Sequence, residues 1–428
     1  MRLGVSLSWS LALCFVGNTA VAQAYSPLPL SSPAKEGFSA ARLERVASLA
    51  QSVVDSGDYL GAVTLISRNG RIVDWRTYGH RDLAKTTSMT QDSIFRIYSM
   101  TKTVASVAVL MLMEEGKLTL EDAVEKFIPD FAGLKVFAGG TAEAPQLRPP
   151  RRALSIRHLL THTGGFATSG GNDDQAAKRF KRFDPHQSPT LKAYTEYVAQ
   201  QALAIDPGER FSYDGVSLEV LSRLVEVVSG MPFDAFLTQR ILAPLKMKDT
   251  GFSVPAEQRA RIADMVTTTT EGNLAIAATH SALHPGEMLN PYPSGAGGLY
   301  STAGDYLRFC QMLLNGGSLD GVSILGRKTV ELMMMNHLTQ LDPPVNSVNA
   351  AEGFGLGGYV VLDVARRGRP GSVGQFGWSG AGSTYFTIDR HEKLVAILLM
   401  QHLPQGLPKD PPKISVRFYN AVYQSLVN

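Results

Sequence analysis

Strand-forming sequence stands at the two ends of this chain and helix-forming sequence between them, and few folds can accommodate that order. Near the start, Gly61-Ala62-Val63-Thr64-Leu65-Ile66 and Ile72-Val73-Asp74-Trp75-Arg76-Thr77-Tyr78 are rich in the β-branched and aromatic residues that suit a pleated surface. Asn69-Gly70 between them predicts a hairpin, because both residues accept the positive φ of a type I′ turn. Strand patterns return only with Tyr359 to Val364, Ser383 to Ile388 and Leu394 to Leu399. One sheet assembled from both chain ends, residues 38–115 and 290–428, is therefore expected around an inserted all-helical domain, residues 116–289.

Helical patterns fill the interval. Ala40 to Val53 has helical spacing, and Val104, Val107, Ala108, Met111 and Leu112 form the i, i+3, i+4, i+7, i+8 stripe of a helix with a buried face. Glu115-Gly116 stops it, since glycine accepts the left-handed conformation found just past helix ends. Leu221, Leu224, Val225 and Val228 share another face, followed by a Gly230-Met231-Pro232 break and a further helical stretch from Phe233 to Leu242. Thr302-Ala303-Gly304-Asp305 resembles a capping box introducing Tyr306 to Leu314, and a last helix is expected from Ile414 to Leu426. Active sites favour the junction of two such domains.

Met1-Arg2, the mostly apolar run from Leu3 to Val16 and Ala22-Gln23-Ala24 have the order of a secretory leader with a small-x-small cleavage site. The run is shorter than the roughly 20 apolar residues that span a bilayer, and Ser6, Ser8 and Ser10 interrupt it, so no stable membrane anchor is expected. Leu13 before Cys14 argues against lipoprotein processing. The expectation is an exported protein, periplasmic or secreted, cleaved near Ala24, with a Pro- and Ser-rich linker over residues 25–37. Loss of the leader leaves Cys310 as the lone cysteine and excludes an intrachain disulfide. A formal charge of +3 over 428 residues makes no case for a nucleic-acid partner. Arg148-Pro149-Pro150-Arg151-Arg152 and Lys178-Arg179-Phe180-Lys181-Arg182 read as solvated loops.

Ser99-Met100-Thr101-Lys102 lies where the apolar stretch Ile94-Phe95-Arg96-Ile97-Tyr98 gives way to a helix. Positions i and i+3 share a helical face, so the Lys102 amine can fold back toward the Ser99 hydroxyl. A serine hydroxyl needs an adjacent base within about 2.6–3.2 Å to act as a nucleophile. A lysine with the ordinary pKa of about 10.4 serves only where burial or a nearby cation depresses it, or where a tyrosinate shares the role. A second match, Ser32-Pro33-Ala34-Lys35, falls in the linker, where nothing rigid holds it.

Other motifs read as structural. Gly377-Trp378-Ser379-Gly380-Ala381 comes within one residue of the Gly-x-Ser-x-Gly elbow, with His391 and His402 downstream, but a strand follows where the elbow needs a helix. Gly353-Phe354-Gly355-Leu356-Gly357-Gly358 likewise precedes a strand instead of the helix of a dinucleotide site. His158 and His162 have the i, i+4 spacing of a metal pair without the accompanying glutamate or a third ligand. No metal and no cofactor are expected.

Five stretches in order carry a family resemblance: Ile97-Tyr98-Ser99-Met100-Thr101-Lys102, Leu159-Leu160-Thr161-His162-Thr163-Gly164-Gly165, Pro207-Gly208-Glu209-Arg210-Phe211-Ser212-Tyr213, Pro244-Leu245-Lys246-Met247-Lys248-Asp249-Thr250-Gly251-Phe252 and Gly295-Ala296-Gly297-Gly298-Leu299-Tyr300-Ser301-Thr302. Together they resemble the β-lactamase-related serine hydrolases, most closely the family VIII carboxylesterases. The resemblance implies a β-lactamase/transpeptidase-like fold of the α/β (α+β) class, with an antiparallel sheet flanked by helices. It implies Ser99, Lys102 and Tyr213 as catalytic residues: Ser99 attacks the acyl carbon, and Lys102 and Tyr213 between them remove and return its proton. It implies a substrate-binding segment at Trp378-Ser379-Gly380 on an edge strand, with Trp378 walling the acyl pocket. The backbone N–H groups of Ser99 and Ala381 would form the oxyanion hole, where each donor is worth roughly 2.7–4 kcal/mol.

Two departures bear on the substrate. Lactam- and peptide-cleaving members of the superfamily usually carry Lys-Thr-Gly at the third motif and Tyr-x-Asn at the second. Here Trp378-Ser379-Gly380 and Tyr213-Asp214-Gly215 stand in those places. The missing lysine removes an attraction for a substrate carboxylate, the missing asparagine a hydrogen bond to a side-chain amide, and an Asp214 exposed to the site would repel anions. The expected activity is hydrolysis of short-chain or aryl carboxylic esters through an acyl-serine intermediate, with a small-molecule ester as partner. A β-lactamase or D-alanyl-D-alanine carboxypeptidase/transpeptidase-like enzyme, an acyltransferase and a non-catalytic acyl-binding relative are the alternatives, and the oligomeric state is left open.

Overall fold

A computed structural model describes residues 27–168, 175–180, 187–340, 349 and 351–427. The expected leader over residues 1–24 lies outside them, as do Lys181 and Arg182 of the second basic cluster. The elements that position the site are α1 (Ala40–Asp55), β1 (Gly61–Arg68), β2 (Arg71–Gly79), α2 (Thr101–Glu114), α3 (Val216–Ser229), α4 (Ala303–Leu314), β3 (Glu352–Phe354), β4 (Tyr359–Val361), β5 (Phe376–Gly380), β6 (Thr384–Asp389), β7 (Leu394–Leu399) and α5 (Ser415–Tyr423). The seven strands form one antiparallel sheet in the order β3-β4-β5-β6-β7-β1-β2. The two chain ends meet at the β7–β1 ladder, where Val63 pairs with Leu399 and Leu65 with Ile397.

Both faces of this sheet are covered, which explains why its central strands read as unbroken apolar runs. Side chains alternate with a period of two: Leu394, Ala396 and Leu398 join Ala62 and Ile66 under α1 and α5, with Leu43, Val46, Phe418 and Val422. Val395, Ile397 and Leu399 join Val63 and Leu65 against α2 and α4. Each fully buried aliphatic side chain of this kind contributes roughly 1.5–3 kcal/mol. The β1–β2 turn is as the sequence predicts, with φ of 53° at Asn69 and 74° at Gly70.

α2 departs from the one-sided stripe expected of it. Every residue from Thr101 to Leu112 is buried, because the helix runs through the interior between the sheet and the inserted region. Its polar residues are taken up locally: Thr103 Oγ1 donates to Gly357 O, and Thr101 Oγ1 accepts from Leu299 N. The expectation of an edge strand at Trp378 is also corrected, since β5 lies between β4 and β6. However, β4 pairs only with Phe376 and Gly377, so among the described residues no strand pairs with the Trp378–Gly380 half of β5 on that side.

The inserted region is mainly helical and carries two hairpins in addition, Val136–Gly140 with Pro145–Arg148 and Val266–Thr268 with Leu274–Ile276. The first closes at Gly140, φ 83°, where a Cβ would lie 2.3 Å from Ala144 O. The strand expected over Tyr359 to Val364 stops at Val361, because the Asp363 side chain accepts from Arg366 N and starts a short helix, Val364–Arg367. Residues 27–37, expected to be a linker, are docked: Ser31 N donates to Ile72 O, Ile72 N to Pro29 O and Arg308 Nη1 to Pro27 O. Among the described residues no helix is long and apolar enough to cross a membrane.

Candidate active site

The turn bearing Ser99 is held from three directions. Phe95–Arg96 pairs with Tyr300–Ser301, Ile97 N donates to Leu299 O, and the Tyr306 hydroxyl donates to Met100 O at 3.0 Å. From the sheet side the end of β5 presses on it so closely that a Cβ on Gly380 would lie 2.2 Å from Ile97 O. Tyr98 has a φ of 41°, a left-handed conformation that costs a bulky residue energy and persists only where the surroundings enforce it. Tyr98–Met100 is a 3₁₀ turn leading directly into α2, so Ser99 and Lys102 lie nearly eclipsed.

Lys102 is 4 % exposed, and its Nζ lies 3.1 Å from Ser99 Oγ and 2.6 Å from Ala296 O. A charged amine donates both bonds. In the neutral form the first contact reverses, and the Ser99 hydroxyl donates to the nitrogen lone pair. The distance is within the range required of a nucleophile and its base.

Tyr213 arrives from the inserted region. Its ring centroid is 5.1 Å from Lys102 Nζ, and its phenol oxygen accepts from the Trp378 indole N–H at 3.2 Å. The Leu159–Gly165 stretch forms its bed: Ser212 N donates to His162 O, Gly208 N to Thr163 O, and Asp214 N to His162 Nδ1 at 3.3 Å. The fully buried His162 ring lies 4.6 Å from the Tyr213 ring. Burial lowers the affinity of His162 for a proton, with Lys102 acting in the same direction and Asp214 against it. His158 instead caps its own helix, Nδ1 accepting from Ser155 N, and burial lowers its pKa to about 4. Both histidines have partners in the protein, and among the described residues no group of three His, Cys, Asp or Glu is arranged to hold a metal.

Ser99, Tyr213, Trp378, Ser379, Gly380 and Ala381 line one cleft of about 290 Å³, with Lys102 buried beneath Ser99. The structure thus brings together every site residue named from the sequence. Ala381 is exposed in the turn between β5 and β6. Ser379 pairs with Tyr385 inside the sheet and is not on a strand-to-helix elbow, and Gly355–Gly358 turns a β3–β4 hairpin. Ser32 and Lys35 lie exposed at the surface. Arg148 and Arg151 of the first basic cluster are paired with Asp206.

Three features differ from the sequence reading. Asp214 does not face the cleft: its carboxylate accepts from Ser217 N at 2.6 Å and Ser217 Oγ at 3.0 Å at the start of α3, so it offers the substrate no repulsion. Lys413, unremarked in the sequence, lines the cleft before α5. Glu219 is fully buried in α3 and accepts from Ser294 Oγ. Desolvation raises its pKa to about 7, against the opposing pull of Ser294 and Lys102.

Comparison with known proteins agrees with this architecture. The chain is 33 % identical over 362 residues to Protein Rv1367c of Mycobacterium tuberculosis, covering 83 % of this chain and 88 % of that one. It is 27 % identical over 383 residues to Esterase EstB of Burkholderia gladioli, covering 85 % and 91 % respectively. Among solved structures it resembles EstCE1, a hydrolase with promiscuous acyltransferase activity, with a TM-score of 0.73 and 24 % identity over 91 % of this chain and 99 % of that one. A penicillin-binding protein homologue from Caulobacter crescentus superposes with a TM-score of 0.68 and 22 % identity, again over 91 % and 99 %. The Beta-lactamase family profile matches residues 46–416, and the chain therefore belongs to the beta-lactamase family, whose members share a serine-hydrolase fold.

Proposed function

We propose that this protein hydrolyses short-chain or aryl carboxylic esters through an acyl-Ser99 intermediate. The observation that carries the reading is the pairing of Lys102 Nζ with Ser99 Oγ at 3.1 Å, beneath a cleft in which the Trp378 indole stands at the third-motif position in place of a lysine. Lys102 and Tyr213 together form the base. As Ser99 Oγ bonds to the acyl carbon its proton passes to that pair, and the oxyanion is received by the N–H groups of Ser99 and Ala381. When the intermediate collapses, the bond to the leaving alcohol breaks and the stored proton goes to its oxygen. Water then attacks acyl-Ser99 by the same route, releasing the carboxylic acid and restoring the hydroxyl. The esterase relative supports this choice of substrate.

The test compares p-nitrophenyl acetate and butyrate with a chromogenic cephalosporin, using wild type and Ser99→Ala. Ester turnover that exceeds cephalosporin turnover and disappears in Ser99→Ala is expected, with an acyl adduct on Ser99 in the mass spectrum. Preference for the cephalosporin would make the protein a β-lactamase, and an intact Ser99→Ala enzyme would remove Ser99 from the chemistry.

A carboxylate-bearing substrate is a second reading, favoured by Lys413, a cation at the cleft, and by the inward turn of Asp214. On this reading Lys413→Ala raises KM for a succinyl ester and leaves that for the butyryl ester unchanged; equal effects on both remove it. Export is proposed from the leader alone, and N-terminal sequencing of secreted protein should begin near Tyr25.

A further inference from the structure

A carboxylic acid with no exposure to solvent is costly unless its partners compensate, and Glu219 is such a group on the apolar flank of α3. Ser294 Oγ donates to its Oε1, while Oε2 has no hydrogen-bond partner among the described residues. Ser294 opens the turn that continues to Ala296, whose carbonyl accepts from Lys102 Nζ at 2.6 Å. The turn is pressed against α3: a Cβ on Gly295 would lie 2.0 Å from Ser222 Oγ and 3.2 Å from Leu218 O. Glu219, the turn and Lys102 therefore form one packed unit in which none can shift without the others.

We propose that Glu219 is a positioning residue for the candidate base, fixing through Ser294 the carbonyl that holds Lys102. The proposal rests on the assignment of Ser99 and Lys102 made above. Lys102 from α2 is the cation acting on Glu219, alongside the Gly295 and Ala296 amides of the turn. Lys102 itself is faced by Glu219 from α3, by the buried His162 from the Leu159–Gly165 stretch and by the Tyr213 ring. Glu219 is the acid of this set.

Glu219→Ala leaves the Ser294 hydroxyl without its acceptor, whereas in Glu219→Gln the near-isosteric amide oxygen can still accept from it. In Glu219→Ala kcat for p-nitrophenyl butyrate should fall about tenfold with KM unchanged, and Glu219→Gln should keep kcat within about twofold of wild type. Equal kcat in the two variants, or a fall carried by KM instead of kcat, overturns the proposal.

Ser294→Ala provides the test should Glu219→Gln not fold. Losing the hydroxyl unties the turn from Glu219 and should lower kcat with KM unchanged; an unchanged kcat overturns the proposal. A second readout is independent of catalysis. Because the folded state raises the Glu219 pKa, the stability it confers is complete at pH 4 and is lost as pH rises through about 7. The melting temperature of Glu219→Gln relative to wild type should therefore be higher at pH 8.5 than at pH 5, and a difference independent of pH overturns the proposal. Failure of the underlying reading is distinct, because it appears as hydrolysis that persists in Ser99→Ala and Lys102→Ala.

Discussion

The Trp378 indole N–H donates to the Tyr213 phenol oxygen at 3.2 Å, joining the sheet to the inserted region across the mouth of the cleft. In the proposed reaction a donor at that oxygen would stabilise the negative charge it takes up during proton transfer. In Trp378→Phe the aromatic wall remains and the donor is lost. With one hydrogen bond worth about 1 kcal/mol net, kcat/KM for p-nitrophenyl butyrate should fall roughly fivefold. Unchanged kinetics would show that the bond serves packing alone.

Lys102→Ala and Tyr213→Phe should each lower kcat by roughly 10²–10⁴, about 3–5 kcal/mol of barrier. Both variants should keep the wild-type circular-dichroism spectrum. Steady-state kinetics in which either variant retains more than a tenth of wild-type kcat would remove that residue from the proton transfer.

Gly380→Ala isolates the close approach of β5 to the Ser99 turn. The added methyl would lie 2.2 Å from Ile97 O and 2.4 Å from Thr384 Oγ1, so strand and turn must part. A stability loss of about 1–3 kcal/mol in urea denaturation is expected, with a larger proportional loss of kcat than of folding. Full activity would mean that the turn tolerates displacement.

His158 tests the acid sensitivity of the bed beneath Tyr213. Its folded-state pKa of about 4 lies below the ordinary value of 6.5, so its contribution is present above pH 6.5 and is lost as pH falls through 4. Between pH 7.5 and pH 4.5 the wild type should lose up to ~3 kcal/mol that His158→Gln, whose side chain can still close the capping box, does not lose. Parallel stability–pH curves for the two proteins would exclude the histidine as the source.

The sequence was most legible where local chemistry decides the outcome. Asn69-Gly70 sets the β1–β2 turn by itself, and the Ser99–Lys102 contact follows from helical spacing across one turn. Tyr213 was reached only through the family resemblance, since nothing local shows that a tyrosine so distant in sequence returns to Ser99. Side-chain direction was the main loss. Asp214 reads as a charge beside the nucleophile's partner, whereas the open N-terminus of α3 draws its carboxylate away from the cleft. Glu219 sits among Val216, Leu218, Val220 and Leu221, and a charge on an otherwise apolar helix flank is the one signal that could have marked it. Lys413 gave no signal, because its position depends on where the chain runs after β7.

The meeting of the two chain ends at the β7–β1 ladder has a consequence for biogenesis. The Ser99 turn is braced by Gly380, and β1 gains its second neighbour only when Leu394–Leu399 has emerged from the ribosome. Ladder contacts over such sequence separation form late and slowly. Nascent polypeptides lacking that final portion would have a hydroxyl and an amine but no braced pocket, so the cleft can be complete only when translation is nearly finished.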